Sequence, residues 1–228
     1  MIPETLEVPA GRSVRGGGMD DRFTNATELP RGEVVFEKPF RMSVYPITVA
    51  DWLAYRSDEN NEKDPALPMT GISWWDANDY CVWLSEKTGD LWRLPTENEW
   101  EYACRAGTET PFATGHDISP EQANYLYSEH GARVGPGQLR PVGSYPPNEF
   151  GLHDMHGNVS EWTSDLWSLS YDVEPLDGET RRVVRGGGWD YLPRLLRSSW
   201  RDSLPPETRR DDLGFRVLCE VLTISRLR

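Results

Sequence analysis

Two carboxylates placed around a glycine turn make the segment Asp154–Glu161 a candidate cation site. Calcium takes about six to eight oxygen ligands, which come from carboxylates and from carbonyls of irregular backbone. Asp154 and Glu161 bracket Gly157, and such a turn can bring both kinds of oxygen to one point. An ordinary Asp-x-x-Gly turn without a metal has the same residue pattern. The segment therefore predicts either a calcium site or a simple turn.

A second cluster, near the C-terminus, combines arginines with aromatic rings. Its members are Trp189, Tyr191, Arg194, Arg197, Trp200, Arg201, Arg209 and Arg210. Guanidinium groups stack on aromatic rings and bind carboxylates through paired hydrogen bonds. The rest of the chain is strongly acidic. The cluster predicts either a cleft for an acidic or planar ligand, or internal ion pairs with that acidic part or with Asp202, Asp211 and Asp212.

The histidines are the residues that could hold a redox metal. A non-haem iron centre needs about two histidines and a carboxylate that converge and leave coordination positions open. His153 and His156 belong to the glycine turn, whereas His116 and His130 lie in long loops. Their spacing does not require convergence, and turn or surface histidines fit the same pattern. The sequence therefore gives a redox metal no positive support.

Several familiar catalytic patterns are absent from the sequence. The glycine runs Gly16–Gly18 and Gly186–Gly188 lack the Lys-Ser/Thr of a phosphate-binding loop, and they indicate close backbone packing at strand ends. No serine lies in a nucleophile-elbow motif. Cys81, Cys104 and Cys219 form no C-x-x-C pair, so a zinc or dithiol site is not expected.

Capping signals predict three helices among the elements that must position these residues. A serine or threonine at the N-cap satisfies a free N–H of the first helical turn, and in two cases an acid three residues later strengthens the signal. The predicted helices run from Thr48 to Tyr55, from Ser73 to Gly89 and from Thr96 to Gly107. Strands are expected at Leu6–Val8, Glu33–Glu37, Val183–Arg185 and Phe215–Glu220. Between Gly107 and Phe150 the composition indicates loops.

Length and composition fit a single domain over residues 1–228. Ten tryptophans suit a core filled by loops, and 20 glycines with 18 prolines indicate many turns. The net charge of −13 argues against a general nucleic-acid binder and against binding to an anionic membrane. The sequence begins without a basic-then-apolar leader and has no long apolar run, so a reduced, cytoplasmic protein is expected.

Short motifs along almost the whole chain carry a family resemblance through their order and spacing. They are Leu6–Gly11, Tyr45–Val49, Ile72–Ala77, Trp92–Tyr102, Gly151–Trp162, Arg185–Asp190 and Asp212–Val217. The pattern resembles the formylglycine-generating enzyme, or sulfatase-modifying factor, family. This resemblance implies an α+β fold of the modified C-type-lectin kind, with little regular secondary structure and a few helices on small antiparallel sheets. It also implies a surface cleft built from the C-terminal segment.

The same resemblance assigns calcium ligands. In the family's enzymes a calcium is held by a side-chain oxygen at the position of Asp154, by backbone carbonyls at Gly157 and Val159, and by the carboxylate at Glu161. A second calcium would match Asn124 and the carbonyl of Tyr125. The family's further aspartate has no counterpart in Gly131–Gln138, so this second site is the weaker expectation.

The best-known chemistry of the family is missing from this chain. The enzymes carry a copper-binding cysteine pair whose positions fall near Tyr191 and Leu196, and the serine after their paired glycines is Gly188 here. Without thiolates there is no soft site for Cu(I) and no thiol to exchange with a substrate cysteine. Formation of formylglycine on sulfatases is therefore not expected, and whether the chain is an enzyme stays open.

The favoured interpretation is a ligand-binding or protein-binding accessory module that uses a cleft in the segment 185–216. Its ligand, a protein, peptide or small molecule, is expected to contact Trp189, Tyr191, Arg194, Arg197, Trp200 and Arg201. Nucleic acid and membrane are not expected as partners, and calcium is expected as a structural cofactor.

Two alternatives use the same fold. One is a metal-dependent oxidase or oxygenase of the non-haem iron type, related to the sulfoxide synthases, which take a histidine triad from an additional helical domain. Here its ligands would have to come from a partner or from His116 and His130. The other is a variable binding protein diversified by a retroelement. Trp200 argues against it, because tryptophan cannot be reached by mutating adenines in an asparagine codon.

Overall fold

A computed structural model of the protein describes residues 1–58 and 62–220, and in this part it contains three helices and ten strands. In chain order the elements are β1 (Thr5–Val8), β2 (Gly11–Arg15), β3 (Gly32–Phe36), β4 (Phe40–Ser43), α1 (Val49–Leu53), α2 (Trp74–Thr88), β5 (Trp92–Arg93), α3 (Glu97–Arg105), β6 (Ser160–Leu166), β7 (Arg182–Arg185), β8 (Asp202–Leu204), β9 (Leu213–Phe215) and β10 (Leu218–Glu220). Two short 3₁₀ turns lie at Ala26–Glu28 and Pro193–Leu195.

The helices form where the capping signals place them. The side chains of Thr48, Ser73 and Thr96 each accept the backbone N–H of the residue three positions on, and the acid at that position bonds back to the cap. Gly89 ends α2 in the left-handed conformation, as predicted. The first helix is shorter than expected and stops at Leu53.

The first sheet brings the two ends of the described chain together. Its strands lie in the order β1–β4–β10–β5, and all neighbours are antiparallel. Leu6 and Leu218 both lie opposite Met42, one on each side of β4. A separate hairpin pairs β2 with β3.

The third sheet carries most of the C-terminal motifs, in the order β8–β7–β6–β9. Strand β6 is antiparallel to β7 and parallel to β9, so that Glu161 lies between Arg185 and Gly214. The sheet thereby joins the glycine turn to the arginine-rich segment. Sequence patterns predicted β7 and part of β9 in this sheet but not β6 or β8.

One strand prediction was wrong. The expected strand Phe215–Glu220 is divided between two sheets, with Phe215 ending β9 and Leu218 beginning β10. The chain changes sheets at Arg216, whose side chain turns inward to the buried carboxylate of Glu161. The segment 215–220 therefore looks like one strand in the sequence, but it is interrupted at Arg216, which pairs with the distant Glu161.

Two hydrophobic clusters fill the centre. The larger packs α2 and its aromatic residues against β6, β7 and β9, and the smaller packs α3 against β1 and β4. Cys81, Cys104 and Cys219 are free and buried, as expected of cysteines that serve as small apolar residues. The fold is α+β with small sheets, as predicted. Within the described part of the chain, no helix is both long and apolar enough to cross a bilayer.

Candidate functional site

The positions of the missing thiols lie in a packed apolar cluster. Leu196 is completely buried against Phe112, Ala123 and Tyr125, and the half-buried ring of Tyr191 packs on the same cluster. Gly188, at the position of the family serine, lies directly against the side chain of Asp212. Apolar packing therefore occupies the positions at which the family resemblance places the cysteine pair.

A pocket opens beside this cluster, with a volume of about 400 Å³. We call it the cleft pocket. Its walls come from three segments that are distant in sequence, namely 20–23, 111–129 and 193–197. Apolar surface is provided by Phe23, Phe112, Ile118 and Pro193, and charged groups lie at Asp21, Glu129, Arg194 and Arg197. A pocket of this size, lined by both apolar and charged side chains, suits a small molecule or one side chain of a peptide.

Arg197 lines the cleft pocket, but its guanidinium is committed to internal partners. Both nitrogens of its outer fork donate to Glu28, each at 2.7 Å, and one also donates to Asp21 at 2.6 Å. The remaining donors reach the carbonyls of Phe23 and Arg194. All five N–H groups of the side chain thus have acceptors inside the protein.

The other arginines of the predicted cleft are paired as well. Arg201 is buried and donates to both oxygens of Glu97, at 2.6 and 2.9 Å. Arg194, at the surface, pairs with Glu129 at 2.8 Å. Arg210 donates one hydrogen bond to each carboxylate oxygen of Asp212. The internal-pairing alternative therefore holds for these residues, and most of the partners are acids from the first two thirds of the chain.

The structure does not bring the six predicted cleft residues into one site. Arg194 and Arg197 line the cleft pocket, with Tyr191 in the cluster behind it. Trp189 lines a more open depression beside Arg140 and Asp211. Arg201 lies on the far side of the Glu28 segment, next to a polar pocket with Tyr171. Sequence reasoning missed Phe23, Phe112 and Glu129 because they lie in loops without periodicity.

A buried charge network ties both glycine runs to α3. Glu101 accepts hydrogen bonds from Arg185 at 2.6 Å, from Arg105 at 2.9 Å and from the backbone N–H of Gly16 at 2.8 Å. The hydroxyl of Tyr171 donates to the same carboxylate. Burial alone would raise the pKa of Glu101, but the cations Arg185 and Arg105 lower it below its ordinary value. Each glycine run follows a strand end, as predicted, and both meet at this carboxylate.

Within the glycine turn 154–161, Asp154 has the character of a cation ligand. Its backbone is left-handed (φ +57°), and its carboxylate is buried. The backbone N–H of Gly143 donates to one oxygen at 2.9 Å. Burial raises the pKa of Asp154 to about 6, because the charged form is poorly solvated there. A cation would compensate this charge, so the residue fits the calcium that the family implies.

Glu161 fits that role less well. Arg216 donates to both of its oxygens at 2.7 and 2.9 Å, and the indole N–H of Trp100 donates to one of them at 2.7 Å. Each carboxylate oxygen has about two lone pairs, so only a remaining lone pair of Oε1 could reach a cation. The carbonyl of Gly157 already accepts the N–H of Val159.

Asn124 carries an acceptor that nothing in the described chain satisfies. Its amide nitrogen donates to the carbonyl of Gln138 and to Asn158, each at 3.0 Å, whereas its Oδ1 is buried without a hydrogen-bond partner. Buried polar atoms are normally paired with protein, water or ion. At the second calcium position, Asn124 therefore offers one free oxygen that a cation could bind.

The histidines are placed separately. His156 is buried, with Nδ1 2.7 Å from the carbonyl of Leu196 and Nε2 accepting the N–H of Ala113 at 3.0 Å. Burial lowers its pKa to about 4, which keeps the ring neutral. His116 is exposed at the rim of the cleft pocket. Among the residues that the structure describes, no three His, Cys, Asp or Glu side chains form a group suited to a metal.

Comparison with known proteins agrees with the fold. The sequence profile of the sulfatase-modifying factor enzyme 1-like domain matches residues 1–221, and the chain belongs to this family. It is 34% identical to the formylglycine-generating enzyme of Mus musculus over 174 residues, which cover 68% of this chain and 45% of that protein. It is also 34% identical over 161 residues to the inactive C-alpha-formylglycine-generating enzyme 2 of Mus musculus, covering 66% and 48%.

Among solved structures, PvdO from Pseudomonas aeruginosa is similar over nearly the whole chain. The two superpose with a TM-score of 0.85 at 33% identity, covering 96% of this chain and 95% of that one. By contrast, this chain spans only about half the length, or less, of the curated relatives that it matches. The similarity therefore describes one domain of those longer proteins.

Proposed function

We propose that this chain is a ligand-binding module that uses the cleft pocket and carries out no thiol chemistry. The observation that supports this most is the fate of the two cysteine positions. One is the fully buried Leu196 and the other is the packed ring of Tyr191, and together they form the floor beside a pocket of about 400 Å³. A relative that is 34% identical is itself named as inactive, so loss of the family's chemistry has a parallel in the family.

Ligand-observed saturation-transfer NMR with a set of small aromatic compounds tests this function. The wild-type chain is expected to bind members of the set, and Phe23→Ala, which removes a pocket wall, is expected to weaken them by about tenfold. The control is Leu169→Ala, an exposed apolar residue that does not line the pocket. Binding that responds equally to both substitutions, or no binding at all, would contradict the proposal.

An iron-dependent oxidase that works in the same pocket is the second candidate. It rests on His116, which lines the cleft pocket beside Asp117. Because no three His, Cys, Asp or Glu side chains of the described residues form a group suited to a metal, further ligands would have to come from a partner. Metal analysis of the purified protein separates the two candidates. Stoichiometric iron that disappears in His116→Ala favours the oxidase, whereas a protein that binds aromatic compounds without iron favours the module.

We further propose that the glycine turn 154–161 holds a structural calcium. The support is the buried carboxylate of Asp154, which accepts a single described hydrogen bond, from the backbone N–H of Gly143. Asp154 would supply charge and the irregular backbone would supply carbonyls. Glu161 would contribute less than the family pattern implies, because Arg216 already neutralises it.

A further inference from the structure

We infer that the cleft pocket selects a ligand with a positive charge next to an aromatic or apolar group, such as an aryl-alkyl ammonium. This inference rests on the proposed binding function and deepens it. It reverses the ligand charge that the arginine-rich sequence predicts. The argument depends on which charges in the pocket are already neutralised and which are left for a ligand.

Two of the three arginines of the pocket, Arg194 and Arg197, have little to offer an anion. Arg197 has acceptors for every N–H group and lies between the carboxylates of Glu28 and Asp21. An incoming carboxylate would have to displace one of these buried bonds. The cost would be an unpaired buried charge.

Arg194 is also compensated. Its guanidinium donates to Glu129 at 2.8 Å, and its backbone N–H donates to the other oxygen of the same carboxylate at 2.6 Å. The pair is neutral as a unit. Arg22, the third arginine of the pocket, is exposed and lies over the ring of Phe23, 4.6 Å from its centroid.

The acids outnumber these cations. Asp20, Asp21, Asp117 and Glu129 line the pocket, and Glu28 lies directly beneath it against Arg197. Set against Arg22, Arg194 and Arg197, these five carboxylates leave a surplus of two negative charges. Asp20 and Asp117 are exposed, and neither has an ion-pair partner within the described part of the chain.

The walls favour an organic cation over a bare ion. Phe23, Phe112 and Tyr125 present aromatic surface, and Ile118 and Pro193 add aliphatic surface. Aromatic faces attract cations, and apolar walls bind the hydrocarbon part of the ligand. A ring linked to an ammonium group by a short chain matches both features within a pocket of about 400 Å³.

Three probes with the same ring and different charge test the inference, namely 2-phenylethylamine, 2-phenylethanol and phenylacetate. Calorimetry at low ionic strength is expected to give an affinity for the amine about tenfold above that for phenylacetate, with the alcohol between them. The difference in affinity between the amine and phenylacetate is expected to become smaller in about 0.5 M NaCl, since salt screens charges at the pocket mouth.

Charge-removing variants locate the effect. Asp20→Asn and Asp117→Asn are each expected to weaken the amine about threefold and to leave the alcohol unchanged, because both side chains are exposed and the substitution keeps their shape. Glu86→Gln, on the exposed face of α2 and outside the pocket, is the control and should change nothing.

The possible results separate the inference from the function on which it rests. If phenylacetate binds as tightly as the amine and Phe23→Ala weakens both, the charge preference is overturned. The proposed binding function is then still supported. Amine affinity that falls equally in Glu86→Gln also overturns the preference. Failure of all three probes to bind overturns both the preference and the module.

Discussion

The side chain of Asp212 leaves no room for the family's serine at position 188, where this chain has a glycine. A Cβ atom at this position would lie 2.8 Å from Oδ2 and 2.9 Å from Cβ of Asp212, closer than real side chains approach. Asp212 cannot move easily, because Arg210 holds both of its oxygens. The change at position 188 is therefore coupled to the Arg210–Asp212 pair and is not an isolated substitution.

We expect Gly188→Ala to lower the free energy of unfolding by about 1–3 kcal/mol, the usual cost of overpacking a tight site. Urea denaturation of the purified variant measures it. The matched control is Gly32→Ala, because a Cβ there meets nothing within 4 Å. Equal effects of the two substitutions would show that Asp212 does not restrict position 188.

Arg197 shows what the sequence could not reveal about single residues. Its arginine-rich context predicts a ligand-binding residue, whereas in the structure it lines the cleft pocket with its guanidinium paired to Glu28, 169 residues away. No local pattern links the two, since the pairing depends on the hairpin β2–β3 bringing the N-terminal segment to the cleft. A paired arginine and a ligand-binding arginine therefore look the same in the sequence.

Among the elements, helices were predictable and strands were only partly so. A capping box is complete within four residues, so α2 and α3 could be located from Ser73 and Thr96. Strand β6 has buried residues on consecutive positions and no alternation, because β7, β9 and α3 surround it. Whether this segment forms a strand depends on partner strands elsewhere in the chain, and the local sequence pattern does not identify those partners.

Helix α3 is attached to the third sheet by the Glu101–Arg185 ion pair. Both side chains are at most 1% exposed. Arg185→Met would leave Glu101 with only one of its two cationic partners, Arg105, and would leave the buried carbonyls of Ser198 and Ser199 without their donor. The variant is therefore expected to cost about 3–5 kcal/mol of unfolding free energy. Arg12→Met is the control, since its pair with Glu33 is 70% and 56% exposed, and it should cost less than about 1 kcal/mol. Similar losses in both variants would contradict this assignment.

The start of α3 should make the fold sensitive to acid. Burial alone would raise the pKa of Glu99, but hydrogen bonds from Arg93 and Thr96 lower it below its ordinary value of 4.5. A carboxyl group with a lower pKa in the folded state stabilises the fold above that ordinary value and loses the contribution as the pH falls through the folded pKa.

Glu99→Gln is therefore expected to destabilise the protein at pH 7 by about 1–3 kcal/mol, with the difference from wild type shrinking below about pH 4. Chemical denaturation across the pH range measures this difference. Glu86→Gln, exposed on α2, serves as control. A destabilisation by Glu99→Gln that is constant from pH 7 to pH 3 would rule out the ionic contribution.

On the scale of the whole molecule, hydrogen bonds of His156 connect the glycine turn to the segments around the cleft pocket. His156, within the turn, lies 2.7 Å from the carbonyl of Leu196 in the cleft segment and accepts the N–H of Ala113 from the loop that walls the pocket. The neutral ring thus joins three distant segments. We therefore expect the proposed calcium, by ordering the turn, to stabilise the segments that form the pocket as well.

Calcium is accordingly expected to stabilise the whole domain. At about one hundred times its dissociation constant, a ligand adds about 2.7 kcal/mol, which corresponds to a rise in Tm of roughly 5–10 °C for a chain of this size. Asp154→Asn removes the charged ligand of the turn that forms no ion pair within the described residues, while it preserves the shape of the side chain and its bond to Gly143. The calcium-induced shift in Tm should therefore vanish in this variant.

The shift should persist in Asp172→Asn, the control, because Asp172 is an exposed acid outside the turn. Calorimetric scans of both variants with calcium and with EDTA measure the shift. A shift of equal size in both variants would place the calcium elsewhere.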